Sequence, residues 1–227
     1  MEENRISQQA IKLEPASASY NSEDFFISRC NKDAYEALFL EPIGDRPYIY
    51  CLLIRGGKSS GKTALAQIFK SSKMAILLEN LVDIKDQEKQ IYIIDNCDAW
   101  SEVDLFHAIN ISSENKCNLV LFSDLEWKPN LLDLSSRINA IKQQKIYSPD
   151  DEMMEVMIAS EFSKRSITIS KDIISYIKPR IARSYISIKN EVKNIDRFCL
   201  ENKKNVTVKT LHSFFESEEA RISHETN

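Results

Sequence analysis

Eight consecutive residues, Gly56-Gly57-Lys58-Ser59-Ser60-Gly61-Lys62-Thr63, match the pattern GxxxxGK[ST]. That spacing turns successive backbone N–H groups toward one anion, and the helix that follows adds its partial positive charge. Only four glycines occur in 227 residues, and three of them stand in this stretch, where backbone freedom is needed. The expected chemistry is phosphate binding. Gly56, Gly57 and Gly61 shape a cradle completed by Lys58, Ser59 and Ser60, Lys62 reaches the β- and γ-phosphates, and Thr63 ligates Mg²⁺. A glycine turn with a solvated lysine is the plain alternative. Downstream, Ile91-Tyr92-Ile93-Ile94-Asp95 reads as a buried strand ending in an acid, so Asp95 is the expected second ligand of the Mg²⁺. The next residue is Asn96, whose amide orients water but cannot accept its proton, so hydrolysis is expected to be slow or conditional. Asp98 either compensates or caps a helix. A further strand, Asn118 to Phe122, runs into Ser123-Asp124, either a polar group beside the γ-phosphate or a strand-end turn. Arg137, in LLDLSSRINA, is expected at the start of the last short strand and by itself reads as a surface arginine.

Elements able to position these groups are visible in the same pattern. Tyr48 to Ile54 is a continuous apolar run bounded by Pro47 and Gly56, the texture of a strand buried on both faces. Met74 to Leu78, Ile91 to Ile94 and Asn118 to Phe122 repeat it, separated by helix-forming Thr63 to Lys70 and Val103 to Ile111. Strands alternating with helices predict an α/β fold with a parallel sheet covered on both sides. A short amphipathic helix is expected over Asp33 to Leu40. After Tyr147 the texture becomes helical. Ser148-Pro149-Asp150-Asp151 predicts a helix start with a serine cap and proline in the first turn, and Ser170 is a second candidate cap. Tyr185, Ile188, Val192, Ile195 and Phe198 form an apolar helical stripe. A last helix follows Thr207, with fraying expected from Ser217. The expected organisation is a flexible tail over 1–19, an α/β domain over 20–147 and a helical lid over 148–227.

Composition excludes several function classes. A net charge of −4 gives no basic face for nonspecific nucleic-acid binding, and Lys178, Arg180 and Arg183 make only a small cluster, so no direct sequence-specific DNA binding is expected. The polar N-terminus is no signal peptide and no apolar run is long enough to cross a membrane, so the reading is a cytoplasmic protein without membrane contact. Five scattered cysteines without CxxC spacing suggest neither a disulfide framework nor a zinc site. The three histidines carry no metal-ligand spacing. Trp100 and Trp127 are expected to pack at the sheet edge, and Met153, Met154 and Met157 in the lid core.

These motifs in this order, followed by a helical segment, resemble the AAA+ ATPases and, more narrowly, the family of the bacterial replication initiator DnaA and its shortened relative Hda. The resemblance runs from Tyr20 to about Glu216 and rests on YNSEDFFISRCNKDAYEAL, GGKSSGKT, the Asp-Asn pair of IIDNCD, LFSDLEWKP and LLDLSSRI. Asn96, and a chain that stops after the lid without a helix-turn-helix domain, resemble the Hda branch. The resemblance implies a P-loop NTPase with a five-stranded parallel sheet and a C-terminal helical lid, holding ADP or ATP with Mg²⁺. It makes Asp124 the sensor I residue and Arg137 an arginine finger, offered in trans to nucleotide on another subunit. Ile186 then falls where the sensor II arginine stands in the family, and Arg183, three residues earlier, is the candidate substitute. Gln8, Ile11 and Leu13 resemble a degenerate sliding-clamp peptide, with a generic polar tail as the alternative. The implied function is an Hda-like regulator that, with the clamp, promotes hydrolysis of DnaA-bound ATP, and the resemblance also implies a homo-oligomer. The alternative is a self-sufficient DnaA-related ATPase that remodels another partner.

Overall fold

The computed structural model describes residues 25–40, 51–81, 84 and 90–225, with side chains to 217. Helix α1 (Lys32–Phe39) precedes strand β1 (Cys51–Gly56), followed by α2 (Lys62–Lys73), β2 (Ile76–Leu77), β3 (Ile91–Ile94), α3 (Glu102–Glu114), β4 (Asn118–Asp124), α4 (Leu132–Ala140) and β5 (Lys142–Ile146). The five strands are all parallel, in the order β2-β3-β4-β1-β5. In β1, Leu52 and Ile54 face one way and Leu53 the other, because side chains alternate along a strand. The first pair packs with Ala34 and Leu38 of α1 and with Leu65 and Phe69 of α2. Leu53 packs with Leu105 and Ala108 of α3 and with Leu134 and Ile138 of α4. That burial on both faces explains why the central strands read as unbroken apolar runs.

Four helices follow: α5 (Asp151–Ser163), α6 (Lys171–Ile177), α7 (Tyr185–Glu201) and α8 (Val208–Glu225). They have a core of their own, in which Ile158 and Phe162 of α5 meet Ile177, Ile188, Val192, Ile195, Leu211 and Phe214. The stripe on α7 is its buried face, since Tyr185, Ile188, Val192 and Ile195 lie at three- and four-residue steps.

Several local expectations are corrected. Arg137 stands in the last turn of α4 rather than at a strand start, because Leu134 and Ile138 are one helical turn apart and both buried. Helix α5 is capped by Asp150, whose carboxylate accepts from Met153 N at 2.9 Å, so Ser148 and Pro149 lie before the cap. Ser170 occupies the cap position of α6 without a capping side-chain bond. The run Met74 to Leu78 contributes only two strand residues, because Met74 ends α2 in a left-handed conformation and is 87% exposed. Helix α8 continues past Ser217 to Glu225. Met154 belongs to the helical core, whereas Met153 packs into the cluster shared by the sheet, α1 and α2.

A hydrogen-bonded knot joins the two layers. Asp150 also accepts from Cys30 N at 3.1 Å, Tyr147 N donates to Cys30 O at 2.8 Å, and the Tyr185 hydroxyl donates to Tyr147 O at 3.1 Å. The start of the described chain, the end of the sheet and the first turn of α7 are thereby tied at one point.

Candidate functional site

Gly56 ends β1 at the C-terminal edge of the sheet, in register with Asp124 on one side and Ile146 on the other. A Cβ here would stand 2.5 Å from Ser60 Oγ and 3.2 Å from Ile146 Cβ, so any other residue would force both to shift. A Cβ at Gly57 would meet nothing within 4 Å. The loop then reverses through Ser59 at φ 65° and Gly61 at φ 92°, the left-handed region that glycine enters without strain. Gly61 is the residue before α2 and offers no side-chain cap, which leaves the first-turn amides directed at the space in front of the helix.

The loop has the features of a phosphate cradle. Lys62 Nζ donates to Gly56 O at 2.6 Å and Gly57 O at 3.0 Å. Burial lowers its pKa, opposed only in part by Asp124, Asp98 and Asp95. Ser60 Oγ is buried and has no hydrogen-bond partner, an orphaned hydroxyl of the kind that a ligand satisfies. The residues present therefore fit a phosphate chain.

The cradle opens into a cleft of about 920 Å³. Lys58, Ser59, Ser60, Gly61, Lys62 and Thr63 line one side, with Asp95, Asn96 and Asp124 from the ends of β3 and β4 beside them. Gly56 and Gly57 lie beneath, presenting carbonyls to Lys62. Asn96 is exposed, in a left-handed turn at φ 55°. Asp98 also borders the cleft, and its Oδ1 accepts from Asp124 N at 3.1 Å, which holds the end of β4 in place. Ser123 is fully buried and donates to Asp124 O. Among the described residues no group of three or more His, Cys, Asp and Glu side chains is arranged to hold a metal. A Mg²⁺ between Thr63 and Asp95 would complete its shell with phosphate oxygens and water.

The rest of the lining had no role assigned from the motifs. Phe25, Phe26 and Asn31 contribute from the start of the described chain, Phe25 lying against Gly61, and Met153, Met157 and Tyr185 form a wall from the helical layer. Farther along the wall, α5 and α7 contribute Glu161, Lys164 and Lys189. Burial opposes ionisation of Glu161, but hydrogen bonds from Lys164 and Arg165 and the charge of Lys189 outweigh it and hold its pKa below the usual glutamate value. The available sequence signal was the i,i+4 spacing of Tyr185 and Lys189, which places both on one face of α7.

Arg183 and Ile186, expected near the nucleotide, lie outside the cleft lining, and Arg137, expected to act on another subunit, also stands outside it. Arg183 is exposed, paired with Asp151 of α5, and is not among the residues that line the cleft. Ile186 is 36% exposed and also outside the lining. Arg137 is exposed on α4, its guanidinium 5.8 Å from the centre of the Phe106 ring. The small basic cluster is committed to local partners: Lys178 to Glu155 and Asp151, and Arg180 to the Tyr176 ring and carbonyl. Gln8, Ile11 and Leu13 lie outside the described residues.

Comparison with solved structures places this arrangement. Domain III of the Thermotoga maritima replication initiation protein DnaA superposes with a TM-score of 0.65 at 19% identity, over 90% of this chain and 98% of that one. The fold is that of this DnaA domain. AMPPCP-bound DnaA from Aquifex aeolicus matches with a TM-score of 0.59 at 18% identity, over 79% of this chain and 65% of that one. The Thermotoga maritima RuvB Holliday junction branch migration motor matches with a TM-score of 0.60 at 16% identity, over 85% and 70% of the two chains. No family model and no curated protein matches the sequence. The five-stranded parallel sheet that the resemblance implies is thus present. No helix among the described residues is long and apolar enough to cross a membrane.

Proposed function

We propose that this AAA+ chain binds ADP or ATP with Mg²⁺ and acts as an Hda-like regulator of replication initiation. Together with the sliding clamp it promotes hydrolysis of ATP held by DnaA, to which it lends Arg137. The observation that carries this reading is a separation of chemistries. The cleft combines a phosphate cradle with four lysines and three aspartates and, among its described lining residues, no arginine, while Arg137 stands exposed outside it.

Within the cleft the loop amides and Lys62 bind the phosphates, and Lys62 exchanges two carbonyl contacts for a charged partner. Ser60 donates its orphaned hydroxyl. Thr63 and Asp95 would hold the Mg²⁺, whose charge would screen the phosphate oxygens. Asp124 orients a polar partner at the far phosphate. Phe25, Met153 and Met157 offer apolar contact to a base. Beside Asp95 the next position holds an amide, Asn96, which cannot accept a proton, and one carboxylate oxygen of Asp98 is engaged by the backbone of Asp124. Own turnover is therefore slow, and the useful group is the guanidinium delivered to another molecule's triphosphate, worth roughly 10³ to 10⁵ in rate where such fingers operate.

The test is loss of ATP from DnaA in the presence of clamp-loaded DNA. The wild-type chain accelerates it, Arg137→Ala abolishes the acceleration, and both proteins bind ADP in their own cleft. Equal stimulation by the mutant contradicts the assignment. Rapid clamp-independent turnover by the isolated chain, lost on Asp95→Ala, would instead favour a self-sufficient ATPase.

A further inference from the structure

Arg137 borders a second, smaller hollow of about 270 Å³. It lies at the end of the sheet opposite the nucleotide cleft, since Cys51 opens β1, Leu119 is the second residue of β4 and Lys142 opens β5. The last two turns of α3 supply Ser112 and Ser113. Arg137 brings positive charge, and no Asp or Glu is among the described lining residues. Arg137 makes no ion pair with any described residue, and its contact is with the ring of Phe106.

Ser112 is the decisive feature. It is 1% exposed, and its Oγ has no hydrogen-bond partner, not even a carbonyl of its own helix. Serines inside helices ordinarily bond back to the carbonyl one turn earlier, and a buried hydroxyl left without a partner is costly. An unsatisfied donor and a guanidinium bordering one hollow are groups that a tetrahedral oxyanion engages from more than one direction.

We infer that this hollow binds a phosphoryl anion, with Arg137 meeting its charge and Ser112 donating to it, so that occupancy engages the same guanidinium proposed to act on DnaA. The anion is either free or the end of a polyphosphate chain carried by another molecule. The consequence for DnaA rests on the finger assignment, whereas anion binding itself does not.

The experiment uses the full chain carrying Lys62→Ala, so that the nucleotide cleft does not compete. Thermal unfolding is followed with inorganic phosphate, pyrophosphate or ATP, each against potassium chloride at equal ionic strength. A saturable rise in Tm of several degrees is expected, and Arg137→Gln, at an exposed position, abolishes it. Ser112→Ala raises the Tm in anion-free buffer, because the orphaned hydroxyl is gone, and shrinks the anion-dependent rise by at least half. Saturation by inorganic phosphate assigns a free ion, and a response to pyrophosphate and ATP alone assigns the end of a chain. No rise beyond that with chloride, or a full rise in Arg137→Gln, overturns the site. Because the cleft is disabled throughout, neither result depends on whether the wild-type chain binds nucleotide there.

Discussion

Lys62 holds its ammonium against two backbone carbonyls, with no carboxylate in direct contact, and burial lowers its pKa. A phosphate arriving at the loop supplies the missing negative charge and raises that pKa. Nucleotide binding at alkaline pH, between the lowered value and the ordinary lysine value, therefore takes up protons. Calorimetry of ADP binding in two buffers of different ionisation heat measures this uptake, and a release of protons would contradict it. The glycines give a second contrast. Gly56→Ala brings a Cβ to 2.5 Å from Ser60 Oγ and 3.2 Å from Ile146 Cβ, forces the cradle to shift and weakens nucleotide binding, while Gly57→Ala, with open space around it, retains it within a few-fold. The motif was legible because its pattern concerns backbone geometry, which a short sequence encodes directly. Lys189 was not, because only the packing of α7 against α5 decides that it, and not Ile186 or Arg183, borders the cleft. Lys189→Gln is expected to weaken ATP binding roughly tenfold, about 1.4 kcal/mol, and ADP binding less. Titration of both nucleotides into the variant checks the difference.

Asp150 shows how one residue organises several elements. It caps α5 through Met153 N and receives Cys30 N from the segment before α1. Burial opposes its ionisation, but those two amides, the Ser28 side chain and nearby Arg29 outweigh it, so its pKa is lowered. A lowered carboxylate contributes stability above its unfolded pKa, near 3.9, and loses it as pH falls through the folded value. Asp150→Ala should therefore cost about 1 to 2 kcal/mol at neutral pH, with the difference from wild type shrinking below pH 4. Urea denaturation at pH 7 and pH 3 measures it. The helix start was visible in Ser148-Pro149-Asp150-Asp151, but three residues there can all cap. Only the position of Cys30, distant in sequence, selects Asp150. Helix α4 was misjudged for a related reason: LLDLSSRINA is short, and its leucines and isoleucine suit either a strand or a helix until the sheet face against which Leu134 and Ile138 pack is known.

The molecule as a whole consists of a two-sided parallel sheet and a helical layer with its own core, tied by the knot of Cys30, Tyr147, Asp150 and Tyr185. The alternation of strands and helices made the parallel sheet legible, since each apolar run needs cover on both faces. The relation of the two layers was not, because it depends on a few hydrogen bonds between segments far apart in sequence. The cleft lies between the layers and the phosphate cradle forms its floor, so nucleotide binding by the intact chain is the most direct test. Calorimetric titration of ADP and ATP with Mg²⁺ should give one site per chain, abolished by Lys62→Ala without loss of the folded helical signal. A wild-type chain that takes up neither nucleotide, or a Lys62→Ala chain that binds as tightly as wild type, would contradict it.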